Sequence, residues 1–279
     1  MSSTTLYTFE LSVWSAVAEL AVLELGLADK VEKKYVDLVH GENFKPEFVK
    51  INENATLPTI VGPDGTVYKN TTDVVNYLAS IAPVKVKAAT EITALTHEAN
   101  IDPNFALLSA RNAEELAAKS SAFPKVFVEN RHAGITKYSS TPEAKPFEAL
   151  YTGKLAGSSW LLSLYTNTAD EATKAEFYKA SQATWDALTV FYFETLPAKL
   201  RDAGAGPFLG GEKPGVDDFH VAARVAHLAS LFGATKSEEG LEAFRKGFGG
   251  KDVPVEIVKY WEAWTPRESW KQVYAKTLH

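Results

Sequence analysis

The sequence changes character at Ile81-Ala82-Pro83-Val84. Upstream, short apolar runs of strand spacing alternate with helical patterns; downstream, strand patterns largely vanish and alanine-rich helical segments take over. That change restricts the chain to two unlike units, an α/β domain over 1–82 and an all-helical domain over 88–279. In the first, the pattern predicts strands at 4–10, 33–39, 59–61 and 66–69, with Gly62-Pro63-Asp64-Gly65 as a hairpin turn. Helices are expected at 13–27, for one or two turns after Pro46, and at 72–80. The order β-α-β-α-β-β-α is that of a thioredoxin-like domain. Further helices are expected at 89–120, 142–166, 170–202, 216–233, 237–248 and 254–275. The stretch 122–140, carrying Pro124 and Gly134, reads as an excursion outside the core.

Composition removes several kinds of chemistry. The 29 basic and 35 acidic residues give a net charge of -6 with no Lys/Arg cluster, so nucleic acid is not an expected partner. There is no cysteine, which eliminates disulfides, zinc-thiolate centres and a cysteine nucleophile. Any sulfur in the chemistry belongs to the substrate. Glu10 and Glu19 interrupt the only apolar stretch near the start, so no signal peptide or membrane anchor is expected, and the cytoplasm is the expected location. His220 and His227 stand seven apart with no further ligand at metal spacing, which points to packing and to no metal site. No Gly-x-Ser-x-Gly elbow, P-loop or dinucleotide fingerprint occurs.

Two short segments carry a positive signal. Ser12-Val13-Trp14-Ser15 lies where the first strand pattern gives way to the first helix. A serine there offers a hydroxyl beside unpaired backbone N–H groups and the positive end of a helix dipole, an arrangement that stabilises an anion such as a thiolate. Ser15 is the competing hydroxyl one turn further in, and Tyr7 is a strand residue that needs no catalytic explanation. The second segment is Leu57-Pro58: proline cannot donate to a sheet ladder and X-Pro tolerates the cis form, so Leu57 is expected to keep backbone groups for a peptide-like ligand.

Taken in order, these residues resemble the cytosolic glutathione transferases over nearly the whole chain. Ser12, Glu19-Leu20-Ala21 and Gly26 are similar to the family's first-helix motif. Asn52-Glu53-Asn54-Ala55-Thr56-Leu57-Pro58 is similar to its asparagine-proline-x-glycine-x-valine-proline stretch, and Phe208-Leu209-Gly210-Gly211 with Asp218-Phe219 to its helix-capping segment. The resemblance implies a thioredoxin-like N-terminal domain that binds glutathione as co-substrate, with no other cofactor, and an all-α C-terminal domain supplying a site for hydrophobic or aromatic small molecules. It implies Ser12, with Ser15 as alternative, as the group stabilising the thiolate. Asn43, Lys45, Leu57, Pro58, Asn70 and Thr71 become the glutathione-binding positions, Pro58 following a cis bond, and the assembly a homodimer. The implied activity is conjugation of glutathione to hydrophobic electrophiles, or peroxide reduction; a ligand-binding protein without turnover is the alternative. Asn70-Thr71 stands where the family usually has an acidic residue and a serine, and Val17 and Gly215 replace a common arginine and a capping serine. These departures suggest a divergent, serine-type class, similar to fungal ones.

Overall fold

The computed structural model describes residues 4–279. Four short strands, β1 (Thr4–Thr8), β2 (Val31–Tyr35), β3 (Thr59–Val61) and β4 (Val67–Tyr68), form one sheet in the order β2-β1-β3-β4. β1 runs parallel to β2 and antiparallel to β3, which pairs antiparallel with β4. Three helices belong to this unit: α1 (Val13–Glu24), α2 (Pro46–Val49) and α3 (Thr71–Ile81). The predicted element order is correct. The second strand sits two residues earlier than expected and stops at Tyr35, because Asp37 turns the chain by accepting from Val39 N and His40 N.

α1 is buried on every face, with Val17, Leu20 and Ala21 inaccessible to solvent. A helix without a polar face must be enclosed. The sheet and α3 cover one side; the other receives α11 (Val216–Leu231), itself buried along nearly its whole length, and α14 (Glu268–Val273). Glu19, the acidic residue inside α1, accepts from Thr8 Oγ1 and pairs with Lys33 Nζ, both at 2.6 Å, so its charge is compensated by the sheet. At the far end Glu24 binds Arg267 and Ser269 of the C-terminal segment. Where the resemblance places arginine, Val17 is core.

The C-terminal part is all-helical. Besides α11 and α14 it contains α4 (Glu91–Thr96), α5 (Pro103–Leu108), α6 (Ala113–Lys119), α7 (Phe123–Ser139), α8 (Glu148–Tyr165), α9 (Glu171–Val190), α10 (Leu196–Asp202), α12 (Gly240–Gly247) and α13 (Val255–Trp264). Several predicted helices are broken. The expected helix over 89–120 is three, because Thr90, Asp102 and Asn112 each cap a new N-terminus with the side chain. The one over 170–202 widens into a π turn at Phe191–Thr195, where Pro197 has no N–H to return to the carbonyl four residues back. Pro266 divides the last one.

The reading of 122–140 as an excursion is wrong: this stretch is α7, a continuous helix packed along α8. Pro124 lies in the first turn, where a missing N–H is harmless. Gly134 faces Gly41 of the N-terminal unit so closely that a Cβ on Gly134 would stand 3.1 Å from the Gly41 Cα. Gly41 holds φ +68°, the left-handed region that favours glycine. Asp218 replaces the missing serine cap at Gly215 by accepting from Leu209 N, Gly210 N and Gly215 N at 2.7–2.8 Å. No helix among the described residues is long and apolar enough to cross a membrane.

Candidate functional site

A cleft of about 820 Å³ opens between the N-terminal unit and α4, α5, α7 and α8. Ser12, Asn43, Leu57, Asn70 and Thr71 all line it. Residues separated by almost sixty positions converge because α1, the segment before β3 and the start of α3 end on one side of the sheet.

Ser12 is the N-cap of α1, with φ -97° and ψ 118°. Its Oγ accepts from Ser15 N at 3.2 Å, which engages a lone pair and leaves the hydroxyl hydrogen free to donate outward. Val13 N and Trp14 N have no partner among the described residues, as the start of a helix requires. An anion at this position meets a hydroxyl donor, two backbone donors and the helix dipole. Ser15 does not compete: it is fully buried, and its Oγ accepts from Phe9 N at 3.2 Å. It ties the end of β1 to α1. Tyr7 packs edge-on against Phe48, 5.7 Å between ring centroids, as a strand residue.

The Leu57–Pro58 bond is cis, and neither backbone polar group of Leu57 is used by another described residue. Asn52, buried, donates from Nδ2 to Thr56 O, Thr59 Oγ1 and Lys69 O, fixing the loop that presents Leu57. Asn43 is buried with its Nδ2 on Ala55 O at 2.8 Å, while its Oδ1 has no partner among the described residues. Lys45 is not in the wall of the cleft; its ammonium pairs with Glu42 at 2.6 Å, and that hydrogen bond raises its pKa. Pro58 is likewise outside the wall.

Asn70 caps α3, accepting from Asp73 N at 2.9 Å and donating to the Asp73 carboxylate at 2.6 Å. The uncharged pair Asn70-Thr71 therefore has a carboxylate beside it, which the sequence pattern did not disclose. Thr71 is the first residue of α3 and is buried.

The structure adds a cluster that sequence reasoning missed. His97, just after α4, stacks on Trp14 with centroids 4.4 Å apart and planes 12° from parallel. Its Nε2 lies 3.1 Å from Nδ1 of the buried His220 on α11. Arg224, one turn further along α11, donates to Thr96 O and Ile101 O and stands 5.8 Å from the Trp14 ring. Burial, with Arg224 nearby, lowers the pKa of His97 to about 4 and helps lower that of His220 to about 3. Both imidazoles are neutral at pH 7. The cluster fixes Trp14, and with it the first turn of α1, against the helical domain. His220 and His227 do pack, as their spacing suggested; His97 had no signal beyond its residue type.

The far wall comes from the helical domain. Phe105, Leu108, Phe127 and Leu161 make it apolar, while Arg131 of α7 and Lys154 of α8 add charge. Among the described residues no group of three or more His, Asp or Glu is placed to hold a metal ion. The cleft thus brings together donors for an anion at Ser12, unused backbone groups at Leu57 and an apolar wall.

Residues 6–86 match the family model for the glutathione S-transferase N-terminal domain. The chain is 34% identical over 89 residues to the tetrachloro-p-hydroquinone reductive dehalogenase of Sphingobium chlorophenolicum, 32% of this chain and 35% of that protein. The matched stretch thus spans about a third of that relative. Among solved structures, a glutathione transferase family member from Pseudomonas fluorescens Pf-5 with two glutathione molecules bound superposes with a TM-score of 0.53 at 14% identity, covering 98% of this chain and 92% of that one. Glutathione transferase F2 of Populus trichocarpa gives 0.52 at 13%, covering 98% and 97%. Gtt2 of Saccharomyces cerevisiae gives 0.50 at 14%, covering 96% and 99%. At these identities the structures establish the fold, a thioredoxin-like unit followed by a helical domain.

Proposed function

We propose that this chain is a glutathione transferase-like enzyme in which Ser12 stabilises the thiolate of bound glutathione. The observation that carries the reading is the convergence of the outward Ser12 hydroxyl, the free Leu57 backbone and the start of α3 on one cleft. Glutathione serves as co-substrate rather than resident cofactor. Its cysteine pairs with the Leu57 backbone, its sulfur reaches Ser12, and its γ-glutamyl end reaches Asn70 and Thr71, with Asp73 supplying a counter-charge for the ammonium. A free thiol has a pKa of about 8.5, so a few per cent is ionised at pH 7, and donors at the sulfur enlarge that fraction. The thiolate then attacks an electrophile held against the apolar wall, or reduces a peroxide. We assign the assembly as a homodimer, since two-fold dimers are the commonest oligomers of soluble proteins.

The test is glutathione titration and turnover of an electrophile panel by wild type, Ser12→Ala and Ser15→Ala. Losing one preorganised donor costs about 1.5–4 kcal/mol, or roughly ten- to a thousand-fold in rate. The smaller end is expected, because Val13 N and Trp14 N remain. Ser12→Ala should raise the pKa seen in the pH–rate profile with little change in glutathione affinity. Ser15→Ala should lower stability, leaving Phe9 N unpaired, without moving the profile. Equal profiles for wild type and Ser12→Ala remove Ser12 from this role. Tight binding of aromatic ligands with no glutathione binding would establish a ligand carrier instead. Sedimentation at the mass of a single chain would refute the dimer.

A further inference from the structure

The helical-domain wall of the cleft contains two cations that pair with no described residue. Arg131 and Lys154 are half-buried, and neither makes a hydrogen bond or ion pair with any described residue. The Arg131 guanidinium lies 4.9 Å from the Phe44 ring centroid, which holds it at the junction of the two units. Lys154 lines the same cleft from α8, which packs along α7; burial, with the Arg131 charge, lowers its pKa, and burial lowers that of Arg131. Elsewhere in the chain lysines and arginines that leave the solvent find a carboxylate or backbone carbonyls, as Lys33 does with Glu19, Arg267 with Glu24, and Arg224 with Thr96 O and Ile101 O. The carboxylates in the cleft, Glu98 and Asp102, belong to the segment around α4 and α5, and neither is within ion-pair distance of these cations. Two like charges partly withdrawn from water in one cleft wall cost free energy that a bound anion returns.

The surroundings define the rest of the ligand. One turn before Arg131 on α7 is Phe127, and two turns after Lys154 on α8 is Leu161; with Phe105 and Leu108 they line the same cleft. A cationic pair therefore borders an apolar patch. We propose that this cleft selects apolar anions, an aromatic carboxylate, phenolate or sulfonate, whose charged group binds Arg131 and Lys154 while its rings lie against Phe127 and Leu161. This rests on the glutathione reading for the partner thiol, but the anion site itself requires only the cleft. The other carboxylate that could engage the pair is the glycine end of glutathione.

The experiment compares two probes with the same aromatic frame, 8-anilinonaphthalene-1-sulfonate and the uncharged N-phenyl-1-naphthylamine, and titrates glutathione alongside. Arg131→Met and Lys154→Met remove charge at similar length, and Lys154→Arg restores it. Wild type should bind the sulfonate more tightly than the amine. Each Met variant should weaken sulfonate binding about tenfold or more, with amine and glutathione affinities unchanged and Lys154→Arg close to wild type. If Arg131→Met fails to fold, Lys154→Met with its Arg rescue decides. Loss of glutathione affinity with unchanged sulfonate binding assigns the pair to the tripeptide and overturns the proposal, as does equal sulfonate affinity in wild type and both variants. Absence of glutathione binding with charge-dependent sulfonate binding would sink the enzymatic reading and leave the anion site standing.

Discussion

Ala55 holds φ +54°, where the resembled motif has glycine. A side chain in the left-handed region costs about 1–2 kcal/mol, which argues for glycine here. Against that, the Ala55 methyl is buried with Phe44, Val49 and Ile135, about 0.8 kcal/mol of burial, and glycine adds roughly 0.4–1 kcal/mol of unfolded-chain entropy. Ala55→Gly is therefore expected to change stability by less than about 1 kcal/mol in a urea titration; a loss of 3 kcal/mol would show that the methyl is held more tightly than burial implies. The positions of Ser12 and Leu57 were legible in the sequence because local rules fix them: a cap precedes its helix, and a proline ends its ladder; Asn70 came from the resemblance, and its capping of α3 from the structure. Arg131 and Lys154 were not, since a charge on a helical pattern reads as solvated until its neighbours are known. The same holds for His97, whose partner His220 lies 123 positions away.

Periodicity located most elements, and punctuation misled where a residue type has two uses. Pro124 and Gly134 looked like breakers, yet one starts α7 and the other docks it. Gly134→Ala gains about 1 kcal/mol of helix propensity while pressing a methyl against the Gly41 backbone. Gly134→Val adds two further carbons with nowhere to go, and is expected to cost about 1–3 kcal/mol as overpacking does. Because the displaced helix carries Phe127 and Arg131, the same variant should weaken ligand binding in the cleft. Thermal denaturation with a sulfonate titration checks both, and unchanged values would mean that α7 is not held by this contact. The broken helices at 89–120 and 254–275 have the converse origin, since helical periodicity masked Asp102-Pro103 and Thr265-Pro266.

Across the whole molecule, acid should unfold this protein early. Burial lowers the pKa of His97 and His227 to about 4 and that of His220 to about 3, and His279 shifts the same way. Below about 6.5 the unfolded chain takes up protons that the native one refuses, so stability falls as pH drops. His97 is open to the cleft and contributes least. Asp218, which burial raises to about 6, acts in the opposite direction between 6 and 3.8, because its native form takes up the proton. With about 1.4 kcal/mol per pH unit for each fully buried imidazole, a net loss of a few kcal/mol is expected between pH 6.5 and 5. Urea midpoints at pH 7, 6 and 5 test this, and a midpoint that holds or rises would mean these histidines charge without cost. The enclosure of α1 carries one more consequence, set by time rather than by equilibrium. Glu24 ends α1 and Val216 begins α11, so 191 residues separate the apolar helix from its main cover. At about 5–20 residues per second, a nascent chain carries that helix half-covered for roughly 10–40 s. Newly made protein should depend on chaperones that shield its first turns until the ribosome has nearly finished.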